Sequence, residues 1–291
     1  MERASRPARP LTGRLAFGVA AAGLSVLVAL ASYALLTYAL ARPLGVDVQA
    51  YYHAAERLAH GQTLYAPGAA NASDLYRYAP WFAAAWIPFT AFPIEPVAAA
   101  WVGLMAVAAA ISTAPLLRLG PTGWAAFAFF LPLQLQGAAF GNVQPMLVLM
   151  LLWGVNRGSG PLWVALGASL KLTPIVLVLV YAGRGEWRRM WITIGLTAVL
   201  VAPMLLFDLA GYNTESGPNQ DSLAGVSPFV FLPVAAACLV ATWLLARTRY
   251  AWAAGGLAMI MSLPRLLSYE VGFALVGLAD VLRRPGRVAK Q

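Results

Sequence analysis

The chain has 291 residues, of which 60% are hydrophobic and only 11% are charged, and its formal net charge is +9. A soluble globular domain carries about 25% charged residues, so this composition excludes an ordinary water-soluble fold. Lipid offers no partners to backbone polar groups, and the long, continuously apolar runs favour helices over a barrel. We therefore expect an all-α integral membrane protein, one polytopic domain over residues 1–291, with about ten transmembrane helices.

The first apolar run covers about residues 15–40, and it is preceded by arginines. Because basic flanks stay in the cytoplasm, we expect the N-terminus inside the cell and the loop 41–96 outside it. Within this loop, residues 47–59 have the pattern of an interfacial amphipathic helix, with Tyr51 and Tyr52 on its apolar face. The apolar stretch 81–93 is short and ends in proline, so we expect it to dip into the membrane or lie flat on it.

Nine further apolar segments follow, and we expect each to be a membrane helix or half-helix. They are 97–117, 123–135, 146–155, 162–170, 172–181, 191–207, 229–246, 252–263 and 271–282. This arrangement places both termini and most of the 20 basic residues in the cytoplasm. The net charge of +9 then reflects topology and lipid headgroups in the plasma membrane, and we expect no nucleic-acid partner.

Segments 162–170 and 172–181 form the least regular part of the pattern. Each is only about 10 residues long, too short for a straight helix across a hydrocarbon core of about 30 Å. Basic residues flank the pair on both sides, at Arg157 and at 184–189. The start of the first segment and the end of the second should therefore both lie in the cytoplasm. We therefore predict two half-helices that meet partway through the membrane at Lys171, an arrangement tolerated where the break lines a cavity.

The predicted topology brings the unusual polar residues to the outer face. They are Asp47, Arg77, Asn142, Gln144, Lys171, Asn219, Gln220, Arg265, Tyr269 and Glu270. Ionisable groups at membrane depth are costly and are therefore functional candidates. A carboxylate can remove a proton from an acceptor hydroxyl, and nearby cations can stabilise a departing phosphate, so a lipid-linked phosphosugar suits this set.

The composition points to no cofactor and no metal. Cys238 is the one cysteine, so no internal disulfide and no zinc or iron–sulfur ligand set can form. The sequence contains neither a GxxxxGK[ST] phosphate loop nor a GxGxxG motif, so it offers no nucleotide-binding loop.

Several short motifs follow one another along the chain in an order that is typical of a known protein family. They are Asp47 with Tyr51, Gly61 and Tyr65; Tyr76-Arg77-Tyr78-Ala79-Pro80; Gly141-Asn142-Val143-Gln144-Pro145; Gly167–Leu170 before Lys171; Gly217-Pro218-Asn219-Gln220 with Ser222 and Gly225; and Pro264 with Ser268. In this order they resemble the polyprenol-phosphate-sugar-dependent glycosyltransferases of family 87, which have the C-type membrane fold. The chain departs from the family pattern at Lys171-Leu172-Thr173-Pro174, where the family often has Lys-Pro. Tyr269 and Glu270 stand where it usually has Trp and His.

The resemblance implies an inverting transfer of mannose or arabinofuranose from a polyprenyl-phosphate donor to a glycolipid or glycan acceptor on the outer face. Asp47 would be the catalytic base, and the other polar residues named above, together with Tyr78, would contact substrate.

Other interpretations remain open at this level. Asp47 is also suited to cap the interfacial helix, Lys171 to pair with an internal acid instead of a phosphate, and Arg265 to extend toward the membrane surface. The whole chain is also compatible with a transporter or lipid-handling protein, although we find no convincing internal repeat. A third alternative is an inactive partner subunit of a glycosyltransferase.

Overall fold

The computed structural model describes residues 11–66, 75–212, 218–219 and 222–282. The helices are α1 Leu11–Leu40, α2 Val46–Ala59, α3 Pro80–Trp86, α4 Ile94–Thr113, α5 Gly120–Ala139, α6 Gln144–Gly154, α7 Gly160–Leu170, α8 Val178–Gly183, α9 Trp187–Val201, α10 Leu223–Val226, α11 Pro228–Leu244, α12 Ala251–Met261 and α13 Leu278–Leu282. Five 3₁₀ segments join them, at Ile87–Ala91, Ala114–Leu119, Thr173–Leu177, Ala202–Leu206 and Ser268–Gly277. No strand occurs in the described ranges, so the expected all-α class is confirmed.

Three described segments are long and apolar enough to cross a membrane, namely Ala20–Leu40, Ile94–Ala139 and Trp187–Leu206. The 46-residue segment is a helical hairpin, because α4 packs on α5 and Gly120 between them has φ +71°. Five shorter apolar helices are Gln144–Gly154, Gly160–Leu170, Thr173–Gly183, Pro228–Leu244 and Ala251–Met261. A helical segment lies in each of the ten predicted places, but these lengths do not establish ten spans, so that number stays a prediction.

Apolar side chains cover much of the outer surface of the bundle. On α1, Leu24, Leu27 and Leu30 are each more than half exposed, at 63%, 65% and 59%. A soluble protein rarely leaves such contiguous apolar surface open to water, whereas hydrocarbon is a suitable solvent for it. The fold therefore supports the predicted membrane location.

The predicted pair of half-helices is present. Helix α7 ends at Leu170, and Lys171 then has an extended backbone with φ −136° and ψ 123° before the chain turns through a 3₁₀ segment into α8. The guanidinium of Arg189, at the start of α9, donates to the carbonyl oxygens of Val155 and Arg157 at 3.3 and 2.5 Å. The start of α7 and the end of α8 therefore lie together at one end of the bundle. Lys171 lies at the break between the two half-helices, away from that end.

Loops at the end opposite Lys171 are tied together by polar contacts, and we call this the Arg184 end. Arg184 Nε donates to the Ala246 carbonyl at 2.7 Å. Asn156 donates to the Ala279 carbonyl at 2.7 Å and accepts from the indole of Trp252 at 2.8 Å. These bonds join the loop after α8 to the loop after α11, and the loop after α6 to helices α12 and α13.

The other end of the bundle, the Asp47 end, is covered by α2 and α3. The fully buried ring of Tyr51 on α2 lies among the aromatic rings of Tyr78, Phe82 and Trp86, with ring-centre distances of 5.2, 5.1 and 5.3 Å. Edge-to-face contacts of this kind add to the energy of burial. They fix the polar loop segment onto the bundle, so its carboxylate is held in a defined position.

Candidate active site

Two glycines bring Asp47 to the loop between α5 and α6. Gly45 and Gly141 have φ of +72° and +74°, a region that side chains other than glycine rarely adopt. The Gly45 amide donates to the Ala139 carbonyl, and the Asp47 amide donates to the Phe140 carbonyl, both at 2.8 Å. The start of α2 therefore hydrogen-bonds directly to the end of α5.

A side chain at Gly141 would disturb this approach. A Cβ there would lie 2.7 Å from Val48 Cγ2 and 3.0 Å from the Gly45 Cα. We expect Gly141→Ala to destabilise the protein by about 1–3 kcal/mol, as is typical of a strained backbone, and to reduce any activity that depends on Asp47. Thermal unfolding of the purified protein in nanodiscs measures the effect.

Gly61→Ala is the matched control for that change. Gly61 also has positive φ, +66°, but a Cβ there would meet nothing within 4 Å. Gly61→Ala therefore introduces backbone strain without a clash. Equal losses of unfolding temperature in the two variants would contradict close packing at Gly141.

Asp47 is bound by an asparagine from a distant part of the chain. Asn142 Nδ2 donates to Asp47 Oδ2 at 2.7 Å and to the Tyr269 hydroxyl at 3.3 Å. Asn142 Oδ1 accepts the backbone N–H of Gln144 at 3.0 Å. Asn142 and Tyr269 are 5% and 6% exposed, so three separated segments meet in one buried cluster.

A buried ion pair lies beside this cluster. Lys171 Nζ is 3.0 Å from Glu270 Oε1, and the Leu267 amide donates to Glu270 Oε2 at 2.9 Å. The Lys171 ammonium is also 5.2 Å from the centre of the Tyr269 ring, within the range of a cation–π contact. Of the two partners considered for Lys171, the structure provides the internal acid.

Burial changes the acidity of Asp47. Loss of solvent raises the pKa of its carboxyl above the ordinary value of 3.8, because burial disfavours the charged form. The hydrogen bond from Asn142 and the charges of Lys171 and Arg77 act in the opposite direction and favour the carboxylate. Asp47 is therefore a stronger base than an exposed aspartate, with cations close by.

Tyr78 lies within the same cluster. Its hydroxyl is 3.3 Å from the hydroxyl of Tyr51. Burial raises the pKa of the Tyr78 hydroxyl, and the negative charges of Asp47 and Glu270 act in the same direction. Tyr78 therefore stays neutral and is suited to hydrogen bonding at the site.

Asn219 and Arg265 come from two segments that are bound together. Asn219 Nδ2 donates to the Leu266 carbonyl at 2.6 Å, and the Leu266 amide donates back to Asn219 Oδ1 at 3.0 Å. Ser222 Oγ adds a bond to the Pro264 carbonyl at 2.7 Å. Both ends of the Asn219 carboxamide are thus used by the backbone next to Arg265, which favours a structural role for Asn219 over the expected substrate contact. Gln220 lies outside the described residues.

Three glutamines, two on α5 and one at the start of α6, have buried side chains. Gln144 is fully buried, and neither atom of its carboxamide has a hydrogen-bond partner among the described residues. Gln134 Nε2 donates to the Tyr269 carbonyl at 2.9 Å, and the Ser268 hydroxyl donates to Gln136 Oε1 at 2.6 Å. Sequence reasoning singled out Gln144 but missed Gln134 and Gln136. Their polar side chains in the otherwise apolar helix α5 were the signal.

The geometry thus brings nine of the predicted site residues to the Asp47 end, as direct contacts or as close charges. They are Asp47, Arg77, Tyr78, Asn142, Gln144, Lys171, Arg265, Tyr269 and Glu270. Within the described ranges, no group of three or more His, Cys, Asp or Glu side chains is placed to hold a metal ion. A raised-pKa carboxylate beside cations can remove a proton and stabilise a departing anion.

The fold and the site together define a helical membrane protein with a buried, charged cluster at one end of its bundle. Residues 76–214, a little under half of the chain, match the family model of glycosyltransferase family 87. The match is to the family that the sequence motifs resemble, so the resemblance is confirmed over these residues. No curated protein and no solved structure matches the chain.

Proposed function

We propose that the protein transfers a sugar, mannose or arabinofuranose, from a polyprenyl-phosphate donor to a glycolipid or glycan acceptor of the cell envelope. The observation that carries this proposal is the half-buried Asp47 carboxylate, which accepts a hydrogen bond from Asn142 and lies close to the charges of Lys171 and Arg77. A base beside cations meets the two needs of this reaction, which are proton removal from the acceptor and charge stabilisation at the leaving phosphate.

In the proposed reaction, Asp47 takes the proton of an acceptor hydroxyl. The hydroxyl oxygen forms a bond to the anomeric carbon from the face opposite the phosphate, and the bond between that carbon and the phosphate oxygen breaks. The electron pair of the broken bond goes to the phosphate, which becomes a monoester with one more negative charge. Asp47 becomes neutral in the same step, so the total charge of the site is unchanged.

Positive charges close to the cluster favour a phosphate-bearing donor. The charges of Lys171 and Arg77 act on Asp47, and that of Arg265 acts on Tyr269. In a site of low dielectric such charges interact with a phosphate more strongly than they would in water.

An apolar groove beside the cluster supports a lipid-linked donor. Its volume is about 340 Å³, and it is lined by Trp86, Phe89, Phe92, Pro96, Val97, Ala100, Trp101 and Leu104. The Trp101 indole donates to the Gly141 carbonyl at 2.8 Å, next to Asn142, and the Trp86 ring contacts Tyr51. Two residues of the groove lining thus contact residues of the Asp47 end, and we assign the groove to the isoprenoid chain of the donor.

The charge distribution supports a site outside the cytoplasm. The described part of the Arg184 end carries the arginines at positions 157, 184, 188, 189, 247 and 249. Basic residues are concentrated on the cytoplasmic side of membrane proteins, so this end would face the cytoplasm. The Asp47 end, with the first-loop segment 41–96, would then face the extracytoplasmic side of the cell membrane.

The direct test is transfer by the purified protein in nanodiscs. We expect labelled sugar to move from polyprenyl-phosphate mannose or polyprenyl-phosphate arabinofuranose to a glycolipid acceptor, and none to move from the nucleotide-linked sugar. Donors with a long isoprenoid chain should have a lower KM than donors with a short one, because the chain buries apolar surface in the groove.

Ala100→Trp fills the groove and should raise KM for the long-chain donor about 10-fold or more while changing kcat little, since binding of the isoprenoid chain is lost equally in the ground state and the transition state. Ala110→Trp, at an exposed position of the same helix and outside the groove lining, is the control. Transfer from the nucleotide sugar, or no transfer from either lipid-linked donor, would contradict the proposal.

A further inference from the structure

We propose that Asn142 is a positioning residue that holds one oxygen of the Asp47 carboxylate and leaves the other to accept the proton. The inference rests on the proposed function and deepens it, because it assigns the reacting atom of the base. It also gives Asn142 a task other than the direct substrate contact expected from the sequence.

The two carboxylate oxygens of Asp47 have different surroundings. Oδ2 accepts the 2.7 Å hydrogen bond from Asn142 Nδ2, whereas Oδ1 accepts none from the residues that the structure describes. A hydrogen bond to a charged acceptor is stronger than a neutral one. Oδ2 is therefore stabilised as an anionic oxygen, and Oδ1 is the atom left to receive the acceptor proton.

The orientation of the Asn142 carboxamide is itself fixed. Its oxygen accepts the Gln144 backbone N–H at 3.0 Å, so its nitrogen must face Asp47. The second hydrogen of that nitrogen points to the Tyr269 hydroxyl at 3.3 Å. Reversing the amide would break the bonds to Asp47 and to the Gln144 N–H in a side chain that is 5% exposed.

The backbone at Asn142 is also held firmly. The residue follows Gly141, whose positive φ turns the chain, and lies two residues before Gln144, where α6 begins. Its own N–H donates to the Gly137 carbonyl at 2.9 Å. The carboxamide is thus presented from a rigid loop, as positioning of a catalytic base requires.

The test compares Asn142→Ala and Asn142→Asp with the natural protein in the transfer assay across pH. An ionised aspartate at position 142 keeps the shape of asparagine but cannot donate to Asp47. We expect kcat to fall about 10- to 100-fold, the size of a lost charge-assisted hydrogen bond, with KM for the donor nearly unchanged. The acidic limb of the kcat/KM profile should move to higher pH, because the bond that favours the carboxylate is gone.

Asn156→Ala and Asn156→Asp are the matched controls. Asn156 is a hydrogen-bonded asparagine just beyond the other end of α6, so its loss should affect the unfolding temperature and leave the pH profile in place. An Asn142→Asp protein with the natural pH profile would overturn the inference, and so would failure of both Asn142 variants to fold. Absence of transfer by the natural protein would instead overturn the proposed function.

Discussion

Asp47→Asn should reduce sugar transfer by a factor of about 10² to 10⁴, the usual contribution of a general base. The amide has almost the same shape as the carboxylate but cannot take a proton at any pH used for an assay. The change also removes a negative charge that would repel the donor phosphate. Donor binding should therefore persist or strengthen while kcat falls. Single-turnover transfer and donor binding, measured on the same nanodisc preparation, separate these two effects.

The pH dependence of transfer by the natural protein should also reflect the role of Asp47 as the base. Burial raises the pKa of Asp47 above 3.8, and the reactive form is the carboxylate. As pH falls, the carboxyl is therefore protonated at a higher pH than an exposed aspartate would be. The acidic limb of the rate profile should accordingly lie above the ordinary aspartate range.

Asp208→Asn is the control for Asp47→Asn. Asp208 is an exposed carboxylate that follows the 3₁₀ segment after α9, and its Oδ1 accepts the Ala210 amide at 2.9 Å. Its replacement should leave transfer within about twofold of the natural rate, because exposed sites contribute little. Full activity in the Asp47→Asn protein would remove Asp47 as the base, and no activity in any form would favour the inactive partner subunit.

The second large effect is expected at the ion pair of Lys171 and Glu270. The side chains are only 16% and 8% exposed, so Lys171→Met leaves the Glu270 carboxylate without its counterion in a place with little water. Breaking such a buried pair typically costs about 3–5 kcal/mol. We expect a correspondingly lower unfolding temperature together with loss of transfer, because the cation proposed to stabilise the leaving phosphate is also gone.

The double variant Lys171→Met/Glu270→Leu separates these two consequences. Replacing both charges with apolar groups of similar size is often neutral or stabilising, so the unfolding temperature should recover while transfer does not. Recovery of both would show that the pair is purely structural and would contradict a phosphate contact by Lys171. Glu186→Gln, which breaks the more exposed contact with Arg189 at 2.8 Å, should cost less than about 1 kcal/mol.

Glu270 is one of the two positions near Ser268 where the sequence departs from the family it resembles. In this chain it pairs with Lys171 and accepts the Leu267 amide at the start of the 3₁₀ segment. A donor phosphate that reaches Lys171 would therefore share the ammonium with an acid already in place. The ion-pair variants measure how much of the lysine charge is available for that purpose.

The sequence alone determined that the chain forms helices and that lipid surrounds most of them. An unpaired backbone in hydrocarbon is so costly that long apolar runs must be helical, and this constraint is local. The shortness of the two apolar segments on either side of Lys171, together with the basic flanks at Arg157 and 184–189, predicted a broken pair whose two far ends lie on one side. The polar residues of the site could be chosen for the same reason, since each is expensive in a membrane.

Only the tertiary structure decided which of these groups meet. Asn142 and Asp47 are 95 positions apart, and Lys171 and Glu270 are 99 apart. Hydropathy fixes which residues lie at one end of the bundle, but neighbours at that end depend on how helices pack and on close approaches such as that of Gly45 and Gly141. A buried charge is costly unless it is paired, but this rule does not say which segment supplies the partner. Packing between distant helices therefore decided the partner of each charge.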